Sequence, residues 1–167
     1  MRRKTNGHQA SVEDEADGSG FVLEDFLPYQ LAVTAGRVSR LFAQRYGEEF
    51  GISIPEWRVL TVVGREAGIS PSAVSARAKM DKVKVSRATA TLVSRGLIRQ
   101  TQDPSDGRAR MLRLTRKGQG LLRSLVPVAQ ELEEKLAGAL TRSEWSSLRQ
   151  TLSRLNAQMP EGDVAFD

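Results

Sequence analysis

Positively charged side chains are concentrated in one stretch of this 167-residue chain. Between Arg65 and Lys117 there are 13 lysines and arginines but only four acidic residues, which gives this stretch a charge of +9. The whole chain carries +5, so the remaining residues sum to −4. A basic block inside an otherwise acidic chain is typical of a surface that neutralises phosphate groups. The alternative, an ordinary solvated surface, would spread the charge more evenly.

Cysteine and histidine, which are common in catalytic and metal-binding sites, are absent or occur only once. The chain has no cysteine, which excludes disulfides, thiolate metal sites, a cysteine nucleophile and sensing by cysteine oxidation. Its one histidine, His8, lies in a polar N-terminal segment, so no histidine remains for a catalytic triad or a zinc site. The sequence therefore predicts a protein that is not an enzyme and that uses no metal or cofactor.

The length and the apolar pattern indicate one folded domain. No apolar run approaches the roughly 18 to 20 residues needed to cross a bilayer, and no apolar run follows the charged start as it would in a secretory signal. We expect a cytoplasmic, nucleoid-associated protein with no membrane partner and a single domain over residues 23–159. Residues 1–22 are predicted to be a disordered tail, and residues 160–167 a flexible C-terminus.

Two short helical patterns lie inside the basic stretch. Ser70 followed by a proline predicts the start of a helix that runs to about Ala78. A turn follows, and a second helix is predicted from Val83 to Arg95, closed by Gly96. The apolar residues of this second helix recur at helical spacing and are expected to face inward; they are Val85, Ala88 and Leu92.

The polar residues of the second helix are then expected on its outer side or at its leading end. They are Lys82, Lys84, Ser86, Arg87, Thr89 and Thr91. The N-terminal half of such a helix can enter the major groove of DNA. We expect Arg87 to make a bidentate contact with guanine, worth about 1–3 kcal/mol of discrimination, with Lys84 as the next candidate. The alternative is that these are solvated positions of an ordinary surface helix.

A hairpin pattern follows the two helices. Strand-like residues 97–101 and 110–115 flank a segment dense in turn residues. Arg108 and Arg110 would lie at the tip or on the returning strand, from where an arginine can enter a narrow minor groove. Asp106 is expected to orient Arg108 through a charge-assisted hydrogen bond. The alternative, a turn selected for geometry alone, leaves the two arginines unexplained. Ser70 and Ser72 complete the predicted DNA-binding set.

With these motifs the chain resembles the MarR (multiple antibiotic resistance regulator) family of winged helix-turn-helix transcription regulators. The matching segments are IPEWRVL, SPSAVSARAKMDKVKVSRATATLVSRGLIRQ, the wing DPSDGRAR and LRLTRKGQGLL. The resemblance implies a mainly α fold with a small β-hairpin wing: a winged helix-turn-helix lobe over 53–115, and dimerisation helices over 23–50 and 116–159. The implied site residues are Lys82, Lys84, Ser86, Arg87, Asp106 and Arg108. One departure is Val83-Lys84-Val85, where family members often carry a Ser-Thr-Val type sequence.

The flanking helices carry more apolar surface than one small domain can cover. Thr115 and Thr141 are predicted to cap the last two helices, both of which have leucine-rich stripes. A homodimer with two-fold symmetry would bury these stripes, and it would place two recognition helices about one DNA turn, roughly 34–36 Å, apart on a pseudo-palindromic operator in double-stranded DNA. The alternative is that the stripes form the core of a monomer.

The resemblance also implies control by a small-molecule effector, often a phenolic or aromatic acid, bound between the dimerisation helices and the DNA-binding lobe. By sequence position, the nearest candidates are Tyr29, Arg37, Arg40, Trp57 and Arg58, since an arginine beside aromatic rings suits a carboxylate. For Trp57, core packing is the stronger interpretation. The function expected is a repressor released by an aromatic acid or its thioester; the alternative is a nucleic-acid-binding or architectural module without ligand control.

Overall fold

The structure is a computed structural model that describes residues 20–66, 68–102 and 110–159. The described residues fall into two compact units, the first ending at Gly36 and the second beginning at Arg37. The helices are α1 (Leu27–Phe50), α2 (Ile54–Gly64), α3 (Pro71–Ala78), α4 (Lys82–Ser94), α5 (Arg116–Ala137) and α6 (Arg142–Gln158). The strands are β1 (Ile98–Gln102) and β2 (Arg110–Leu114), and a short 3-10 turn over Leu23–Asp25 precedes α1. The predicted fold class, mainly α with a small β-hairpin, is confirmed.

Local capping signals define the starts of several helices. Ser53 and Glu56 form a capping box at α2, in which the Ser53 amide donates to the Glu56 carboxylate at 3.0 Å. Thr141 and Glu144 form the same arrangement at α6, with the Thr141 amide donating at 2.7 Å. At α3 the hydroxyl of Ser70 accepts from the amide of the third helical residue at 3.2 Å. Each cap satisfies backbone amides that have no partner inside the helix, and the starts predicted at Ser70 and Thr141 are confirmed.

The connection between α3 and α4 is tight. Lys79 ends α3 in a left-handed conformation, with φ of 50°, and its amide donates to the Ser75 carbonyl. Two residues later Asp81 caps α4, its carboxylate accepting from the Lys84 amide at 2.7 Å. The sequence predicted a start at Val83, one residue too late, because Asp81 was interpreted as part of the turn.

The two strands pair in antiparallel fashion, from Ile98 opposite Leu114 to Gln102 opposite Arg110. Ile69 extends this sheet by one residue: it exchanges two backbone hydrogen bonds with Leu112, at 2.8 and 3.2 Å. This pairing explains why α2 already ends at Gly64, since the chain must leave the helix to reach the sheet.

The core of the second unit lies where α2, α3, α4, the hairpin and parts of α1 and α5 meet. The inward positions predicted for α4 are confirmed: Val85, Ala88 and Leu92 are buried. The other fully buried large side chains are Tyr46, Ile52, Val59, Leu60, Val63, Val74, Ile98, Leu112 and Leu125. This shared core fixes α4 against the base of the hairpin, so their relative orientation is set by packing.

The start of α5 is bound closely to the base of the hairpin. The Thr115 hydroxyl accepts from the Gly118 amide at 3.0 Å and donates to the Gly96 carbonyl at 2.7 Å. A Cβ atom at Gly118 would lie 3.0 Å from the carbonyl carbon of Leu97 and closer still to its oxygen, so only glycine fits there. The Leu-Thr-x-x-Gly segment therefore has a steric function: its threonine and its glycine together hold α5 on β1.

The last helix packs lightly. No residue of α6 is buried in the single chain. Trp145 is half-buried and lines a small cleft between α5 and α6 with Glu133, Glu134 and Ala137. Among the helices of the described residues, none combines the length and the apolar character that a bilayer span requires.

Candidate nucleic-acid interface

The surface of α4 divides into a packed face and an exposed face. Ser86 and Arg87 are exposed, as are Lys82 at the first helical position and Ala90 one turn further on. Residues three and four positions apart lie on the same side of a helix. The structure therefore places Ser86 and Arg87 together on an open face, as predicted, and leaves them accessible to a partner.

Lys84 lies beside the acidic cap of the helix. Its ammonium group is 3.9 Å from the Asp81 carboxylate, and its side chain is 37% exposed. It remains near the leading end of α4, but part of its charge is offset by Asp81. Lys82, one residue earlier, is exposed. Of the two lysines, Lys82 is thus the more open to solvent.

Thr89 corrects one of the sequence predictions. It was expected towards the outer side of α4, but it is only 5% exposed. It lies four residues after Val85 and next to Ala88, which places it on the packed face. Its hydroxyl has no hydrogen-bond partner among the described residues. The expected outward placement of Thr89 is therefore wrong, since its side chain is buried.

The start of α3 lies next to the exposed face of α4. Ser72 is exposed, whereas the Ser70 hydroxyl is engaged as the helix cap and lies 3.0 Å from that of Ser72. Ser72, Lys82 and Ser86 line one shallow cavity, together with Gln100 of β1. The structure thus brings predicted residues from α3 and α4 to one side of the lobe.

The hairpin contributes Arg110 to this region. Arg110 is the first residue of β2, is exposed, and donates to the side-chain oxygen of Gln100 at 3.2 Å. Asp106 and Arg108 lie outside the described residues, so the predicted contact between them stays a prediction.

Sequence reasoning missed the role of Arg95 at the end of α4. Its guanidinium donates to the carbonyl oxygens of Gly51 at 2.7 Å and Phe50 at 3.2 Å, and it lies 3.7 Å from the Glu56 carboxylate. Arg95 therefore ties the last turn of α4 to the junction between α1 and α2. Because Arg95 belongs to the basic block, the sequence indicated that it binds phosphate. In the structure it instead joins the end of α4 to the α1–α2 junction.

Two other arginines of the basic block also contact the protein itself. Arg77 of α3 forms an ion pair with Glu66, just beyond α2. The Arg113 guanidinium lies over Gly68, where a Cβ atom would come within 3.0 Å of it. The charge of the block is therefore divided between contacts within the fold and the exposed face of α4.

The candidate effector residues are dispersed. Arg37 and Arg40 are exposed on α1, while Trp57 and Arg58 are half-buried on α2. Trp57 packs against the core, with its ring centroid 5.4 Å from that of Tyr46 and 6.4 Å from that of Phe42. This agrees with the expectation that Trp57 is mainly a packing residue. Tyr29 belongs to the first unit and is 39% exposed.

Tyr46 is the buried polar group of this aromatic cluster. It has no exposed surface, and its hydroxyl has no partner among the described residues. Burial raises the pKa of Tyr46 to about 12, because the charged phenolate would be poorly solvated there. The hydroxyl is thus neutral at ordinary pH.

Comparison with known proteins agrees with this geometry. The model of the MarR family matches residues 50–109. The HTH-type transcriptional repressor IacR of Pseudomonas putida is 27% identical over 150 residues, which cover 90% of this chain and 86% of that protein.

Two solved structures share the fold. A MarR/EmrR family transcriptional regulator from Acinetobacter sp. ADP1 has 26% sequence identity and a TM-score of 0.72, covering 78% of this chain and 92% of that one. BpsR of Bordetella bronchiseptica, whose structure describes regulation of its DNA binding by 6-hydroxynicotinic acid, has 20% identity and a TM-score of 0.77, covering 84% of this chain and 99% of that one.

The matched proteins are transcriptional regulators and not enzymes. The region matched by the family model, residues 50–109, includes α2, α3, the tight connection, α4 and β1. Residues 50–109 therefore match the MarR family, and most of the chain is similar to DNA-binding transcription regulators built on a winged helix-turn-helix.

Proposed function

We propose that the protein is a homodimeric repressor that binds a pseudo-palindromic operator and leaves it when a small aromatic acid or its thioester binds. The observation that carries the proposal is the division of α4, whose packed face is fixed in the core while Arg87 and Ser86 are exposed. Because the core already holds the backbone of α4 in place, its outer face can enter the major groove without a further loss of backbone conformational entropy on binding.

Each exposed polar group of this surface has a distinct role in the proposal. Arg87 reads guanine through its planar pair of donors, while Lys82 and Lys84 neutralise phosphates or reach base edges near the leading end of α4. Ser86 hydrogen-bonds a base edge or a phosphate. The remaining contacts, to the DNA backbone or the minor groove, come from Ser70, Ser72, Arg108 and Arg110, and Asp106 orients Arg108.

The homodimer is supported by apolar side chains that the single chain leaves exposed. Leu148, Leu152 and Leu155 of α6 are 39–42% exposed, and Val126 of α5 is 43% exposed. A helix that buries none of its residues gains little from packing within one chain. A symmetric partner would cover this stripe and would also set the distance between two copies of α4.

Ligand control is supported by the fold neighbour BpsR, whose DNA binding is regulated by 6-hydroxynicotinic acid. In this chain, Arg37, Arg40 and Arg58 are the cations proposed for the carboxylate, and Tyr29 and Trp57 are the aromatic residues proposed from their sequence positions. The ligand must bind better to a conformation with the wrong half-site spacing, because equal affinity for both states would shift nothing.

The DNA contacts are tested on an operator selected from genomic fragments with the purified protein. We expect nanomolar-range binding to the selected duplex, and we expect Arg87→Ala to weaken it by about 1–3 kcal/mol while weakening random DNA much less. Arg149→Ala is the matched control, since it removes the same charge from an exposed position on α6. Equal losses on selected and random duplexes would mean that Arg87 contacts phosphate and not a base.

Salt dependence provides an independent measure of the charge contribution. If about eight phosphates are neutralised per dimer, the logarithm of the binding constant falls against the logarithm of salt concentration with a slope near −7. A nearly flat dependence would contradict the proposed electrostatic contribution.

Ligand control is measured with a labelled operator and a panel of aromatic acids such as hydroxybenzoates and hydroxycinnamates. We expect at least one of them to lower operator affinity, and Arg58→Ala to reduce that response while keeping operator binding. Intact operator binding that none of the panel alters would support the alternative, a DNA-binding module without ligand control.

A further inference from the structure

One large hydrophobic side chain is exposed at the leading end of α4. Val83 is the second residue of the helix and is 58% exposed. Between Phe50 and Thr115, the described residues hold only one other exposed large hydrophobic side chain, Val93 at 37%. The rest lie on the N-terminal segment, α1, α5 and α6 or next to them. Val83 therefore needs a different explanation from the stripe assigned to the dimer.

The position of Val83 on the helix aligns it with the proposed DNA contacts. Ser86, Arg87 and Ala90 follow it by three, four and seven residues and are all exposed, so the four share one face. Val83 is the first of them, in the part of a recognition helix that reaches base edges. It thus extends the face of Arg87 by one turn towards the leading end of α4.

The neighbouring charges indicate what covers Val83. Lys82 precedes it and is exposed, and Lys84 follows it near the helix start. A second copy of this basic face would be repelled, and an apolar peptide would offer no negative charge to the exposed Lys82. A surface that combines negative charge with apolar groups fits both features, and the major groove of duplex DNA is such a surface.

We propose that Val83 contacts the C5-methyl group of a thymine and so determines specificity at one position of each half-site. The inference rests on the proposed binding of α4 in the major groove. The thymine methyl is the one apolar group among the base edges of that groove. Valine in a helix is held in one side-chain rotamer, so its methyl groups are already positioned before DNA binds.

The test uses the selected operator with each thymine replaced in turn by deoxyuridine, which lacks only that methyl group. For the wild-type protein we expect about fourfold weaker binding when one thymine position in one half-site is changed, and about sixteenfold when both half-sites are changed. These values correspond to the burial of one methyl group at each half-site.

Two variants of the same type assign the effect to Val83. Val83→Ala is expected to lose the sensitivity to deoxyuridine at that position, whereas Val93→Ala, from the same helix, is expected to keep it. Alanine favours helix, so α4 should form in both variants, and circular dichroism checks this.

Each outcome of these measurements decides the inference. Loss of deoxyuridine sensitivity in Val83→Ala alone supports it. Operator binding with no sensitive thymine, or sensitivity that persists in Val83→Ala, overturns it and leaves the proposed function standing. If the protein selects no specific operator, both the inference about Val83 and the proposed function are overturned.

Discussion

Replacement of Gly118 by alanine tests how closely α5 packs on the hairpin. The added Cβ would lie 3.0 Å from the Leu97 carbonyl carbon and nearer still to its oxygen. The obstacle is backbone, so no side-chain rotation relieves it. The start of α5 has to move away from β1, and the Thr115 hydrogen bonds to Gly96 and Gly118 are stretched or broken.

The expected cost follows from three contributions. Overpacking costs about 1–3 kcal/mol, and two hydrogen bonds contribute about 1 kcal/mol each. Alanine offsets about 1 kcal/mol of this because it favours helix over glycine. The free energy of unfolding should therefore fall by about 3 kcal/mol, which lowers the melting temperature by roughly 6–12 °C for a chain of this size.

Gly120 supplies the matched control in the same helix. The nearest heavy atom to a Cβ added at Gly120 is the end of the Arg123 side chain at 4.0 Å, an ordinary van der Waals contact that requires no movement. Gly120→Ala should therefore stabilise the protein by up to about 1 kcal/mol. Both variants are compared with wild type by chemical and thermal unfolding at one protein concentration. A Gly118→Ala protein as stable as wild type would refute the steric reasoning.

Arg95→Ala should lower the free energy of unfolding by about 1.5–3 kcal/mol, because the carbonyls of Gly51 and Phe50 lose a charged donor. Arg95→Lys should recover part of this loss. Chemical unfolding in which Arg95→Ala is as stable as wild type would contradict the prediction. Tyr46→Phe should leave stability unchanged or higher near neutral pH, since the buried hydroxyl has no partner among the described residues. Burial raises the pKa of Tyr46 to about 12, so the folded protein keeps this proton after the unfolded chain has released its own near pH 10. Wild type should thus lose up to about 2.7 kcal/mol between pH 10 and pH 12, and unfolding curves in which Tyr46→Phe loses the same amount would contradict the assignment.

Helix starts were predictable from sequence because their determinants are local. The capping residues Ser70, Thr115 and Thr141 act on amides only a few positions away, and the structure has all three as expected. The end of α2 was not predictable in the same way. It depends on the pairing of Ile69 with Leu112, which is distant in sequence.

The site follows the same division between local and distant determinants. Helical periodicity placed Ser86 and Arg87 outward because the apolar residues of α4 marked the inner face. It failed for Thr89, whose polar side chain gave no sign of burial although its position lies among the packed residues. Arg95 was missed because its partners are carbonyl oxygens of another part of the chain.

The aromatic cluster around Trp57 has a consequence for observing this protein in solution. The chain has only two tryptophans: one is packed 5.4 Å from Tyr46, and the other, Trp145, lines the cleft between α5 and α6. Their fluorescence reports on different parts of the chain: Trp57 on the integrity of the lobe that carries α4, and Trp145 on the packing of α5 and α6, the helices proposed to contact a second subunit. Single-tryptophan variants would therefore separate assembly from unfolding by emission wavelength, with no attached dye.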